Sequence, residues 1–331
     1  MKEMKNRAPF YYYQEQTVPS IVWDLLLTLF LCMIMPIINY GPRILIMTLF
    51  TGGLCLLAEL IGRLLARREI AGADFSPVVT GMLIAMLMPA NAPFWLFAAA
   101  ALFSMFVVRI PFGGTGRTPF HPAAAGISFA AVGWPTIMFS YPAVPLETSL
   151  PWFGDCVSTV LGTSPSASLK EGIRPDILPF DMLWGRFSGP MGTTCILVIC
   201  ACACYLFCKK SIDFRAPCCL VATAALYAAL FPRIVGSPLT SIKYELMAGS
   251  LLFGAVFLLG ELSAPLHTWQ GKCIYGVLTG LLTMLFREFG RYDQGIYFAI
   301  LLSDAVVPVL DRMISRRMIK GGRDNEAITQ E

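Results

Sequence analysis

Leu87-Met88-Pro89-Ala90-Asn91-Ala92-Pro93-Phe94-Trp95 interrupts a long apolar stretch with two prolines and an asparagine. Proline has no amide hydrogen and its ring clashes with the preceding turn, so a helix entering this stretch must end or bend there. A second stretch, Glu261-Leu262-Ser263-Ala264-Pro265-Leu266-His267-Thr268-Trp269, lies late in the chain. Each is followed by an apolar run. The first run ends at Arg109-Ile110-Pro111-Phe112-Gly113 and the second at Arg287-Glu288-Phe289-Gly290. Pro89 to Gly113 spans 24 positions and Pro265 to Gly290 spans 25. Paired, proline-interrupted hydrophobic segments in two halves of a chain predict an inverted-repeat transport fold with its site near the midplane. Two short loops marked by proline are the plain alternative.

The composition fits a membrane setting. Of 331 residues, 56% are hydrophobic and only 14% charged, with a net charge of +4 and a mean hydropathy of +0.66. Soluble domains carry about a quarter charged residues, so an ordinary soluble enzyme and a disordered chain are both excluded. No basic stripe with interleaved aromatics marks a nucleic-acid partner. Apolar runs fall at 21–39, 43–62, 76–90, 93–110, 122–141, 192–208, 216–232, 247–262, 272–287 and 293–310. The fold class expected is an all-α polytopic membrane protein of about ten transmembrane helices in two inverted five-helix repeats.

The basic residues orient these spans. Arg43, Lys170, Arg174, Arg186, Arg233, Lys243, Arg287 and Arg291 fall on one side, and the other 17 of the 25 Lys and Arg on the opposite one. The positive-inside rule then places both termini in the cytoplasm. Five segments follow. Residues 1–20 form a cytoplasmic segment, 21–141 the first membrane repeat, 142–191 an extracytoplasmic loop, 192–310 the second repeat, and 311–331 a cytoplasmic tail. The N-terminal segment carries Lys2, Lys5 and Arg7 but leads into a long apolar run, which reads as a first membrane helix and not a cleaved signal.

Metal chemistry is not expected. The eleven cysteines include Cys195, Cys200, Cys202, Cys204 and Cys208 in one apolar run and Cys218 and Cys219 in the next. Such residues pack as small apolar groups, and none follows a C-x-x-C spacing. The two histidines, His121 and His267, lack ligand companions. Gly113-Gly114-Thr115-Gly116-Arg117 could wrap a phosphate, but with no preceding strand a tight turn is the simpler reading.

Four carboxylates sit within or beside the apolar runs: Asp24, Glu59, Glu261 and Asp304. A carboxylate in hydrocarbon is costly and faces a cavity, a partner or the interface. No basic partner is apparent for Asp24 or Glu59 at their depth. Glu261 and Asp304, in the second repeat, are the ion-pathway candidates, with a structural or interfacial role as the alternative for each.

Several stretches carry a family resemblance. Val79-Thr80-Gly81-Met82-Leu83 through Leu87-Met88-Pro89, and Phe112-Gly113-Gly114-Thr115-Gly116-Arg117-Thr118-Pro119-Phe120-His121-Pro122-Ala123, are two of them. Gly276-Val277-Leu278-Thr279-Gly280-Leu281-Leu282-Thr283, Phe289-Gly290-Arg291-Tyr292 and Ser303-Asp304-Ala305-Val306-Val307-Pro308 agree. Over about residues 20–312 the chain resembles the RnfD/NqrB family. RnfD is a membrane component of the Rnf-type ion-translocating oxidoreductase, and it is similar to NqrB of the sodium-pumping NADH:quinone oxidoreductase.

The resemblance implies a membrane subunit with FMN held covalently on its extracytoplasmic loop. Such a subunit relays electrons while the assembled complex moves Na+ or H+. The family's attachment motif, Asp-x-x-Ser/Thr-Gly-Ala-Thr, falls on Ser158-Thr159-Val160-Leu161-Gly162-Thr163-Ser164-Pro165, with Leu169-Lys170-Glu171-Gly172 following. The acceptor threonine therefore corresponds to Ser164, whose hydroxyl supplies the same phosphoester oxygen. Thr163, Ser166 and Ser168 are alternative hydroxyls. The chain departs from the motif at Ser158, Leu161 and Thr163, which puts recognition by a flavin transferase in doubt. Trp152, Phe153, Phe180, Trp184 and Phe187 in the same loop could shield a flavin ring or rest on the membrane surface.

The function expected is that of a membrane subunit of an Rnf-type complex, coupling electron transfer through FMN to ion translocation. It would act as part of a multisubunit translocase in the bacterial inner membrane and not as an enzyme alone. Its expected partners are the other subunits, the lipid bilayer and a flavin transferase. An inverted-repeat solute or ion transporter without redox chemistry is the competing reading, because fold does not fix function. A structural subunit that has lost covalent FMN is the third.

Overall fold

The computed structural model describes residues 18–65, 74–114, 118–144, 150–154, 159–234, 237–260 and 268–328. Two full-length helices open it, α1 (Val18–Tyr40) and α2 (Arg43–Leu65), joined by a turn at Gly41 and Pro42. Both are long and apolar enough to cross a membrane. Then come α3 (Ser76–Met86) and α4 (Phe94–Phe103), with α4 continuing into a π-helical turn over Ser104–Arg109. The prolines at 89 and 93 lie between α3 and α4, where the sequence predicts a break. Helix α5 (Pro122–Gly133) and the short α6 (Pro135–Met138) complete the first half.

The described residues of the 142–191 loop carry short strands and helices. Tyr141–Pro142 (β1) pairs antiparallel with Leu161–Gly162 (β2). Two short helices follow, α7 (Pro165–Lys170) and α8 (Pro179–Trp184). Each begins with proline at its first position, where the missing amide hydrogen costs nothing. Ser164 caps α7, its Oγ accepting the Ala167 N–H at 3.2 Å. Leu169, Met182 and Phe187 of the loop form one buried cluster with Ile196, Ile234, Tyr244 and Ala248. Phe187 is therefore a core residue, while Trp152, Phe153, Phe180 and Trp184 stay exposed.

The second half contains α9 (Ile196–Cys208), α10 (Arg215–Leu230), α11 (Pro238–Met247) and α12 (Leu251–Phe253), which runs on into a π-helical turn at Gly254–Leu258. It closes with α13 (Trp269–Phe289) and α14 (Ile296–Ile328). The span expected at 247–262 is in fact a pair bent by 66° between Met247 and Leu251. Gly249 makes the bend, with φ of +68°, a backbone that a side chain would strain. The sequence-predicted break at Pro265, together with Glu261 and His267, lies outside the described residues.

Helices α10 and α13 approach through a small-residue seam. A Cβ on Gly276 would sit 2.4 Å from the Ala216 carbonyl oxygen, and one on Gly280 would sit 2.8 Å from that of Leu220. Close backbone approach at such spacing is how helices pack where lipid removes the hydrophobic drive. At the α9–α10 turn, burial pushes the Asp213 carboxyl up. Hydrogen bonds from Lys272 and the Arg215 N–H outweigh this and hold it below its ordinary value.

Candidate functional site

Ser164, the residue where the resemblance places the flavin, is buried at one end of the bundle, 4% exposed. Its Oγ donates to Oδ2 of Asp293 at 2.9 Å, and the Ser166 Oγ donates to the same oxygen at 3.0 Å. The two hydroxyl oxygens are 3.2 Å apart. Asp293, itself buried, lies on the connector between α13 and α14. Lys170 donates to the carbonyl of Arg291 on that connector. Helix α7 is thus pinned by three side chains onto the second half of the molecule. Ser168 is half-buried and donates back to the Ser164 carbonyl at 3.4 Å. Thr163 alone of the four candidate hydroxyl residues is exposed.

The surroundings are polar and tight. Gln294 donates to the Tyr141 hydroxyl at 2.9 Å, joining the connector to β1. Gly249 lies between the cluster and Arg287: a Cβ there would be 3.2 Å from Arg287 Nη2 and 3.5 Å from Ser166 Oγ. In kind, these residues fit a phosphate-linked flavin. Ser164 offers the ester oxygen, Ser166 a hydrogen-bond donor, and Arg287 a nearby positive charge. The Asp293 carboxylate opposes an anion there, and Glu245 already holds part of the Arg287 charge.

Two buried arginines hold the helix breaks. Arg43, at the start of α2, donates to the carbonyls of Ala90 and Ala92 at 3.3 and 3.2 Å, and to those of Pro151 and Gly154 at 2.8 and 2.9 Å. Arg287, near the end of α13, donates to the carbonyls of Glu245 and Ala248, both at 2.8 Å. Its Nη1 also meets the Glu245 carboxylate at 3.3 Å, and Arg233 meets the other oxygen of that carboxylate at 3.4 Å. Carbonyls freed at a broken helix need donors wherever water is scarce, and one planar guanidinium supplies several. Sequence reading assigned Arg43 and Arg287 only to a side of the membrane. Their role was hidden because their partners are backbone atoms 39 to 111 positions away.

Of the ion-pathway candidates, Glu261 lies outside the described residues and Asp304 is buried on α14. Asp304 accepts from the Tyr275 hydroxyl at 2.7 Å and from the His121 backbone N–H at 2.8 Å. It therefore joins α13 and α14 to the start of α5 in the first half. Asp24 and Glu59, expected to lack basic partners, both have them. Lys209 lies 2.9 Å from Asp24, with Ser211 at 2.6 Å. Glu59 pairs with Arg63 at 3.0 Å and Arg109 at 3.4 Å. Lys209 and Arg109 come from other helices, and pairing over that sequence distance has no periodic signature.

Among the described residues no group of three or more His, Cys, Asp or Glu side chains could hold a metal ion.

The chain resembles subunits of ion-translocating oxidoreductase complexes along most of its length. It is 29% identical over 263 residues to the D subunit of the Na(+)-translocating ferredoxin:NAD(+) oxidoreductase complex of Acetobacterium woodii, covering 78% of this chain and 77% of that protein. It is 27% identical over 301 residues to the D subunit of the ion-translocating oxidoreductase complex of Escherichia coli O7:K1, covering 82% and 86%. The profile of the NQR2, RnfD, RnfE family matches residues 5–320, nearly the whole chain. This chain belongs to the NQR2, RnfD, RnfE family.

Proposed function

We propose that this chain is the flavin-bearing membrane subunit of an Rnf-type complex that couples electron transfer to translocation of Na+ or H+. The family match and the names of its relatives support the complex. The flavin reading rests on one observation: the hydroxyl in the attachment register, Ser164, meets the second half of the bundle beside Ser166 and Arg287.

FMN attached there would supply reversible one- and two-electron transfer. Ser164 would tether it through a phosphoester. Ser166 would orient the phosphate. Helix α7, which Ser164 caps, would carry the tether. Asp304, bridging the two halves through Tyr275 and His121, is the ion-pathway residue in this reading, with Glu261. The topology that accompanies it has about ten spans in two inverted repeats, both termini cytoplasmic and the 142–191 loop outside. A flavin transferase would install the cofactor, in the inner membrane of a bacterium.

A subunit without covalent flavin is the second reading, favoured by the motif departures at Ser158, Leu161 and Thr163. Purification of the tagged chain from its native membrane separates the readings. Co-elution with redox subunits and a flavin-fluorescent band after denaturation are expected. Elution without redox partners would favour a transporter, and a dark band with partners present would favour the flavin-free subunit.

A further inference from the structure

A phosphoester on Ser164 and the docked position of α7 make opposite demands on Asp293. In the docked state the Ser164 and Ser166 hydroxyls both donate to one carboxylate oxygen, at 2.9 and 3.0 Å. Esterification removes the Ser164 proton, so that hydrogen bond ends. It also places an anionic phosphodiester against a buried carboxylate, where like charges repel strongly at low dielectric. Arg287, across Gly249 from Ser166, is already committed to Glu245 and to two carbonyls.

Access gives the same answer. Ser164 is 4% exposed, and its helix is held at Ser164, Ser166 and Lys170. A transferase cannot bring a phosphorus atom to an oxygen enclosed in this way.

We propose that Asp293 is a latch on the attachment segment: it holds Ser164 out of reach, and modification at Ser164 proceeds only from the state in which α7 has left Asp293. The inference rests on the flavin reading above. In the modifying step the Ser164 Oγ–P bond forms and the pyrophosphate P–O bond of a flavin adenine dinucleotide breaks. The hydroxyl proton passes to a base of the transferase, and adenosine monophosphate leaves. Asp293 takes no proton and acts only through position and charge. This separates the latch from the reverse idea, that the carboxylate activates the hydroxyl, because the two assign opposite signs to its removal.

Asp293→Asn keeps the shape and an acceptor oxygen but removes the charge, and Asp293→Ala removes both. The full-length chain in detergent, freshly purified without flavin, is incubated with a flavin transferase, Mg2+ and flavin adenine dinucleotide. The initial rate of fluorescent-band formation is expected to rise at least about three-fold in Asp293→Asn, since losing a charge-assisted bond populates the open state. An unchanged or lower rate overturns the latch. A second readout needs no flavin. Amide hydrogen exchange over residues 164–170 is expected to be about ten-fold faster in Asp293→Ala, with the α10 and α13 amides unchanged. Equal exchange in that segment overturns the latch, and exchange that rises throughout the chain assigns Asp293 to general folding and overturns it too. Faster local exchange with no flavin on any variant sustains the latch and refutes the flavin reading.

Discussion

Replacing Arg287 by methionine should remove the device that holds the bend between α11 and α12. The side chain is 3% exposed and donates to two carbonyls at 2.8 Å and one carboxylate at 3.3 Å. Methionine fills similar volume but donates nothing. Two buried carbonyls then lose a donor, at about 1–3 kcal/mol each. Glu245 keeps only Arg233, at 3.4 Å. Breaking a buried pair costs about 3–5 kcal/mol, and the surviving partner lowers that share. A total near 5 kcal/mol corresponds to a fall of about 10 °C in the thermal unfolding midpoint, at roughly 2 °C per kcal/mol. Arg287→Lys keeps the charge but not the fork, so about half that fall is expected. The assay is the unfolding midpoint of the detergent-solubilised chain, followed by tryptophan fluorescence. A midpoint for Arg287→Met within about 2 °C of wild type would refute the assignment, since the remaining donors would then suffice.

Two further substitutions test other joints. Gly276→Ala drives a methyl to 2.4 Å from the Ala216 carbonyl oxygen and should cost about 1–3 kcal/mol. Gly53→Ala, where the added Cβ meets nothing within 4 Å, should be neutral or stabilising by up to about 1 kcal/mol. Equal midpoints for the two would contradict the α10–α13 seam. Asp304→Ala strands the Tyr275 hydroxyl and the His121 N–H at about 1–3 kcal/mol each. Asp304→Asn, which keeps one acceptor oxygen for one of the two donors, should lose about half as much, and a loss equal to that of alanine would show that the charge and not the bridge matters.

Much of the helical layout was legible. The runs at 43–62 and 93–110 fall on α2 (Arg43–Leu65) and on Phe94–Arg109, because uninterrupted apolar runs bounded by Gly, Pro or basic residues leave few choices. The run at 247–262 misled for a physical reason. Hydropathy counts Lys243 and Glu245 as polar and so excluded α11, yet Glu245 is neutralised in place by Arg287 and Arg233. At the other end, Met247-Ala248-Gly249-Ser250-Leu251 is apolar enough to read as continuous helix although Gly249 bends it.

The surroundings of Ser164 were only partly legible. The attachment register singles out Ser164 as a candidate, but its partner Asp293 escaped notice within Tyr292-Asp293-Gln294, an ordinary-looking connector. Its partners lie 127 and 129 positions away. Charge pairing over such distances, like Asp24 with Lys209 and Glu59 with Arg109, is written in the fold and not in the local sequence.

The central claim, a flavin carried on Ser164, is tested most directly by mass spectrometry of the peptide spanning residues 159–170. The chain is purified from cells that also make the other components of the complex and a flavin transferase. A mass increase of one FMN phosphoester localised to Ser164 is expected, absent from Ser164→Ala and retained in Thr163→Ala. An unmodified peptide in the wild-type chain, or a flavin that persists in Ser164→Ala, would contradict it.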